Sequence, residues 1–182
     1  MRPLRFRPME SDDLRLVQGW LSRPHVRRWW GGRESYDEIA EHYRSAIEGE
    51  RPTDLYIALL DDEPIGFVQT YLGSDYPDYA ALVVVGEGVA GVDLLIGDAA
   101  LMGQGIGSEI LRRFVDEIVF ASPTTTSCVA DPDVRNVASI RAFEKAGFRV
   151  VREFVDPKDG QTHALVRCDR AQSNQAPRPA GV

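Results

Sequence analysis

A single carboxylate interrupts an apolar run in this chain: Val92-Asp93-Leu94-Leu95-Ile96 reads as a buried strand carrying one charge. An unpaired buried carboxylate is costly, so such a residue is either satisfied by a neighbouring arginine or backbone donor or kept for proton chemistry. Soon after it, Gly103-Gln104-Gly105-Ile106-Gly107 leads into a helix whose apolar stripe is Ile110, Leu111, Phe114, Ile118 and Val119. A glycine-rich helix entry lets backbone N–H groups converge on a pyrophosphate, with the positive end of the helix dipole behind them. Alone, the same pattern fits a plain strand-to-helix hinge equally well. It does not fit a dinucleotide fingerprint, because the glycines follow Asp98-Ala-Ala-Leu-Met102 in mid-chain, and the Walker lysine and hydroxyl are missing.

The elements that must position these residues follow from periodicity and breakers. A strand over 4–8 leads to Ser11-Asp12-Asp13, an N-cap for a helix through Trp20 and Leu21. Arg23-Pro-His-Val-Arg-Arg-Trp-Trp-Gly-Gly32 reads as an irregular aromatic loop, followed by a helix over about 36–47 with Ile39, Tyr43 and Ile47 on one stripe. Strands over 55–60 and 65–71 flank Asp61-Asp-Glu-Pro64, a hairpin signature. The segment 72–91 reads as loop. Helices over about 106–120 and 136–146 are separated by a strand over 126–130, and strands over 148–155 and 162–168 pair around Asp156-Pro-Lys-Asp-Gly160. Strands joined by helical crossovers pack in parallel, and the terminal hairpin adds antiparallel pairs. The expected fold is a single α/β domain over 1–168 with a mixed central sheet flanked by helices. From Asp169 the apolar pattern is lost, and 169–182 reads as a flexible tail.

The 182 residues suffice for one domain with a sizeable core. A formal net charge of −7 argues against nucleic acid as partner and suits a cationic substrate, although solubility alone would also explain it. No apolar run approaches the length of a membrane span, and Met1-Arg-Pro-Leu-Arg-Phe-Arg7 does not resemble a signal peptide. Cys128 and Cys168, the two cysteines, sit in strand-like runs and read as reduced core residues. The expectation is therefore a cytoplasmic protein with no metal site and no disulfide.

The segment Asn136, Ala138, Phe143, Lys145, Gly147-Phe148, lying downstream of the glycine loop and separated from it by a strand, resembles the GCN5-related N-acetyltransferase superfamily. That resemblance implies acetyl-CoA as co-substrate. It implies cofactor contacts from Leu94, Leu95 and Ile96 on a strand that splays from its neighbour, from the loop Met102, Gly103, Gln104, Gly105, Ile106, Gly107 and Ser108, and from Asn136 and Phe143. Met102 stands where the superfamily often carries Arg or Gln, which the backbone-dominated phosphate contacts tolerate.

A longer similarity, carried by Trp20-Leu-Ser-Arg-Pro-His-Val-Arg-Arg-Trp-Trp-Gly-Gly32, Tyr56-Ile-Ala-Leu-Leu60, Glu63-Pro-Ile-Gly-Phe-Val-Gln-Thr-Tyr71, Gly91-Val-Asp93 and Phe143-Glu-Lys-Ala-Gly-Phe148, is to the aminoglycoside 6′-N-acetyltransferases. It implies acetylation of the 6′-amine of a cationic antibiotic and hence resistance. Asp93 then matches the carboxylate that binds and deprotonates the 6′-ammonium, a role its apolar strand suits. Asp131, Asp159 and Asp78 match acids on the substrate side, and Trp30 and Tyr43 match aromatics lining the sugar pocket. Asp131 could equally cap the turn at Pro132, Asp159 could serve the Asp-Gly turn, and both aromatics could be core. His25 reads as structural, and His42 and His163 as ordinary.

Two departures stand out. The family's tyrosine that protonates the departing thiolate falls at Phe143, which has no proton to give; a coenzyme A thiol can leave with water or backbone help. The family's tryptophan pair and acidic run become Tyr79-Ala-Ala-Leu-Val-Val-Val85, so the antibiotic pocket differs. A siderophore-type acyltransferase acting on N6-hydroxylysine is the alternative enzyme reading, since it resembles the same Pro-His-Val…Trp-Trp segment. A noncatalytic acyl-CoA sensor is the alternative outside enzymes, and the presence of Asp93 speaks against it.

Overall fold

The computed structural model describes residues 3–31, 35–83 and 85–171. The expected tail over 169–182 begins later than the sequence implies, since Asp169 ends the last strand and the Arg170 guanidinium donates to the Phe120 and Thr125 carbonyls. Its part beyond 171, Gly32 of the aromatic segment and Val84 lie outside the described residues. In chain order the elements are β1 (Leu4–Pro8), α1 (Leu14–Leu21), α2 (Pro24–Trp30), α3 (Tyr36–Ile47), β2 (Thr53–Leu60), β3 (Glu63–Leu72), α4 (Pro77–Val83), β4 (Val89–Ile96), α5 (Ile106–Glu117), β5 (Ser127–Ala130), α6 (Val137–Lys145), β6 (Arg149–Val155) and β7 (Thr162–Asp169). The strands form one mixed sheet in the order β1-β2-β3-β4-β5-β7-β6. Only β4 and β5 pair in parallel; β7 enters between β5 and β6 and is antiparallel to both.

Local signals explain most of these elements. Ser35 caps α3: its hydroxyl accepts from the Glu38 backbone N–H, and the Glu38 carboxylate accepts from the Ser35 N–H at 2.6 Å. The β2–β3 hairpin turns on Asp61 and Asp62, both in the left-handed region as a two-residue turn demands.

Three expectations are corrected. The segment 23–30 is helical, because Pro24 sits at a first helical position, where its fixed φ and missing N–H cost nothing. The stretch 72–91 holds helix α4, which also begins on proline, and β4 starts at Val89 instead of Val92. Ser11-Asp12-Asp13 forms a 3₁₀ turn ahead of α1, and Asp13 accepts both guanidinium nitrogens of Arg7, at 2.6 and 2.7 Å.

The sheet carries a core on each face. Leu14, Val17, Ile39, Ile57, Phe67 and Leu95 pack under α1 and α3, while Val68, Val92, Ile110, Phe114, Cys128 and Val166 pack under α5. Side chains alternate faces along a strand, so Val92 enters the α5 core whereas Asp93 points to the α1–α3 side. Cys128 and Cys168 are register partners across β5 and β7, and both thiols are free.

The parting of β4 from β5 is what positions the site. β4 follows β3 from Ala90 to Ile96, yet it pairs with β5 only at Val89, Ala90 and Gly91. The far end of β4 is tied instead to the α1–α2 corner. His25 Nε2 donates to the Ile96 carbonyl at 3.0 Å, and the Arg23 guanidinium donates to the Gly97 carbonyl at 2.6 Å. Gly97 also donates its N–H to the Ile65 carbonyl and lies flat against the Trp20 indole, which a Cβ there would approach to 2.2 Å. Replacing Gly97 by Ala should therefore lower unfolding stability by about 1–3 kcal/mol, because the clash is with a buried ring. Urea denaturation of Gly97→Ala against the native chain measures this, with the helical circular dichroism of the folded state expected to persist.

Candidate active site

Two cavities meet where β4 leaves β5. The larger, of about 690 Å³, is lined by Trp30, Tyr43, Gln69, Asp93, Asp131 and Asp159, together with His42, Arg28 and His163. Asp93 is held by its register partner on β3: Gln69 Nε2 donates to a carboxylate oxygen at 2.8 Å. Burial raises the Asp93 pKa, the Gln69 bond lowers it and the nearby Asp131 raises it, leaving it at about 6. No arginine or lysine pairs with Asp93 among the described residues, so its charge is compensated by one amide alone. Tyr43 stands over this face of the sheet with its ring edge-on to Phe67 at 5.3 Å, and Trp30 packs on the same ring at 5.9 Å.

The opposite wall is built from strand ends. Asp131 follows β5, and its carboxylate accepts the Tyr79 phenol at 2.8 Å. His163, on β7, donates Nδ1–H to the Asp131 carbonyl at 2.6 Å, while Nε2 faces an Asp159 carboxylate oxygen at 3.1 Å. Burial alone would lower the His163 pKa, but these two acceptors outweigh it and hold it above the ordinary value. Burial likewise raises Asp131 despite the lowering by Tyr79 and His163, whereas the Gln161 N–H and His163 lower Asp159. Asp156, Asp159 and His163 put one ligand atom each within 4.8 Å of one another, but both His163 nitrogens are already committed to Asp131 and Asp159.

The second cavity, of about 400 Å³, runs between the freed edge of β4, the glycine loop and α6. Leu94, Leu95, Ile96, Met102, Gly103, Gly105, Gly107, Ser108, Asn136 and Phe143 line it. Gly103 and Gly105 have φ of +75° and +82°, and a Cβ at either would meet nothing within 4 Å. Conformation, not room, calls for glycine there. Ser108 ties its hydroxyl back to the Gly105 carbonyl at 2.7 Å, fixing the first turn of α5. Arg141 and Lys145, one turn apart on α6, add two positive charges to the lining. A strand edge without a partner strand, a glycine loop at a helix start and a basic helix face suit a phosphorylated carrier with an amide-bearing arm, as coenzyme A has.

Most of the sequence-predicted residues thus converge, with three exceptions. Asp78 lies exposed on α4 and lines neither cavity; its neighbour Tyr79 turns inward to Asp131 instead. Gln104 is exposed and bonds the Ala100 carbonyl, and Ile106 packs on the α5 core, so neither side chain faces the second cavity. His163, read as ordinary, proves to link two of the acids. Only the pairing of β7 beside β5 brings it there, although the four-residue spacing from Asp159 was visible. His25, read as structural, donates to the Ile96 carbonyl and also lines the second cavity, and the Gln69 partner of Asp93 was missed because register across β3 and β4 sets it.

Comparison with known proteins agrees with this geometry. Residues 10–156 match the acetyltransferase (GNAT) domain family. Aminoglycoside N(6′)-acetyltransferase type 1 of Klebsiella pneumoniae is 36% identical over 169 residues, covering 91% of this chain and 83% of that protein. The aminoglycoside acetyltransferase AAC(6′)-Ib, solved with parmomycin and acetyl-CoA, superposes with a TM-score of 0.84 at 29% identity, covering 97% of this chain and 99% of that one. Its complex with coenzyme A and kanamycin gives 0.83. Lysine N-acyltransferase MbtK of a Mycobacterium species is 27% identical over 149 residues, covering 80% of this chain and 59% of that protein.

The electrostatics of Asp93 generate a measurable consequence. Its pKa is raised above the unfolded value near 3.8, so holding it ionised disfavours the folded state, by an amount that grows between about pH 4 and 6 and is constant above. Asp93→Asn should therefore melt above the native chain at pH 7.5, and the advantage should vanish at pH 4. A melting series across that range reads the sign directly.

Proposed function

Because the chain belongs to the GNAT acetyltransferase family, we propose that it transfers the acetyl group of acetyl-CoA to the 6′-amine of an aminoglycoside, giving antibiotic resistance. The observation that carries this is Asp93, a carboxylate with no cationic partner among the described residues, aimed into an acid-walled cavity that meets a basic one. An aminoglycoside ammonium supplies the missing counter-charge.

The chain's own groups divide the work. Asp93 holds the 6′-ammonium and takes its proton; with a pKa of about 6 it is ionised at neutral pH yet basic enough to accept one. Gln69 fixes the carboxylate in place. Asp131 and Asp159, joined through His163, face further ammonium groups, and Trp30 and Tyr43 flank the sugar ring. The freed edge of β4 and Asn136 hold the pantetheine arm; the glycine loop, Arg141 and Lys145 hold the phosphates. Acetyl-CoA brings an activated carbonyl, so the amine attacks it directly within a ternary complex. Cys128 is fully buried with its thiol pushed up by burial, which supports a route without a covalent enzyme intermediate.

No helix among the described residues is long and apolar enough to cross a membrane. Free thiols and a need for acetyl-CoA support a cytoplasmic location.

Thiol release from acetyl-CoA with kanamycin or tobramycin tests the reading, and N6-hydroxylysine tests the rival. Turnover is expected on the aminoglycosides; turnover on hydroxylysine alone would move the assignment to a siderophore-type acyltransferase. In the native chain kcat/KM should fall as pH drops through about 6, because protonation removes the base. Asp93→Asn should lose about 10²–10⁴-fold and with it that acid limb. Asp131→Asn should act differently, raising KM for the drug more than it lowers kcat, since it removes an ammonium contact without touching the attacking nitrogen.

A further inference from the structure

The two cavities share six lining residues: Trp29, Trp30, Leu94, Asn136, Ser139 and Phe143. Acetyl transfer joins the contents of one cavity to those of the other, so the bond to sulfur breaks at this junction. Phe143 offers no proton there. Indole N–H groups only donate, and an amide does not exchange its protons on this timescale. A hydroxyl can donate one hydrogen bond while accepting another, and Ser139 carries the only hydroxyl in the shared set.

Its placement is defined by α6. Asn136 caps the helix through its side-chain oxygen, which accepts from the Ser139 N–H at 3.2 Å. Ser139 then lies one turn before Phe143 on the same helix face. Its backbone is fixed by the cap, and no hydrogen bond engages its hydroxyl among the described residues. Beside it the larger cavity is polar, with Asp131, Arg135 and Gln161 in its lining, and Ser139 itself is partly exposed.

We propose that the Ser139 hydroxyl donates a hydrogen bond to the coenzyme A sulfur and relays a solvent proton to it as the thiol leaves. The proposal rests on the acetyl-transfer reading above. In the balance of the step, the substrate ammonium first gives a proton to Asp93, and the amine nitrogen then bonds to the acetyl carbon. The C–S bond breaks and its electron pair stays on sulfur. The amide nitrogen sheds its second proton to water, which makes good the proton that water delivers to sulfur through Ser139; the proton held by Asp93 is the one released. One ammonium and one thioester thus give one amide, one thiol and one released proton. Asp93 serves the nitrogen from β4 and Ser139 the sulfur from α6.

Two readouts on Ser139→Ala test this. The first needs no amine: thiolate absorbance of bound coenzyme A is followed against pH in the native chain and the variant. A hydrogen bond to the charged form favours it, so the thiol ionisation constant should fall about tenfold when the hydroxyl is removed. The second is steady-state turnover, where kcat should drop about tenfold with both KM values held within about twofold. Adding Phe143→Tyr to Ser139→Ala should restore turnover and create a new alkaline limb from the phenol. An ionisation constant unchanged within twofold, or an unchanged kcat, overturns the proposal. A tenfold change in thiol ionisation without native turnover on any aminoglycoside would overturn the acceptor reading and leave the Ser139 contact standing.

Discussion

The parting of two parallel strands governs this molecule. A backbone in a sheet interior spends its N–H and C=O groups on neighbours, and one that leaves its neighbour must find other partners. β4 does so after Gly91, and Asp93 and the second cavity lie along the opened edge. His25 and Arg23 supply those partners at the strand's far end, bonding the Ile96 and Gly97 carbonyls. Strand alternation then sorts the side chains, sending Asp93 to the α1–α3 side while Val92 stays in the α5 core. One local irregularity therefore supplies an unpaired strand edge, a carboxylate beside it and the meeting point of two cavities.

The acids of the larger cavity are differently poised despite their proximity. Asp93 relies on Gln69 and sits high in its titration range. Asp131 is raised by burial but steadied by a phenol and an imidazole, and Asp159 is lowered by a backbone N–H and that same imidazole. Such a gradient sets Asp93, whose burial is opposed by a single amide, apart from the two acids that share His163. Asp133, also in the lining, takes little part since Arg135 pairs with it.

Much of this was legible from residue order. The carboxylate inside Val92–Ile96, the glycine loop and the Asn136 segment each announced its place, and the sheet supplied only their proximity. Two helices were missed, α2 and α4, and both start on proline after an extended residue or turn. Aromatic and turn-forming residues masked the signal that a proline at the first helical position gives. Asp78 misled for a related reason: reading 72–91 as loop left its direction open, and helical geometry puts it outside while Tyr79 turns in. His163 and Gln69 escaped notice because cross-strand register, a long-range property, assigns their partners.

Gly103 and Gly105 lie just ahead of α5 in the left-handed region. Each has empty space where a side chain would go and a backbone angle that an L-residue rarely adopts. A substitution there would meet no protein atom within 4 Å and would still strain the backbone, by about 1–2 kcal/mol. Random drift could freely decorate this rim with new groups if only volume mattered. The rim of the second cavity is thus kept bare by backbone angle, whereas the larger cavity takes part of its wall from the side chains of α2 and α3.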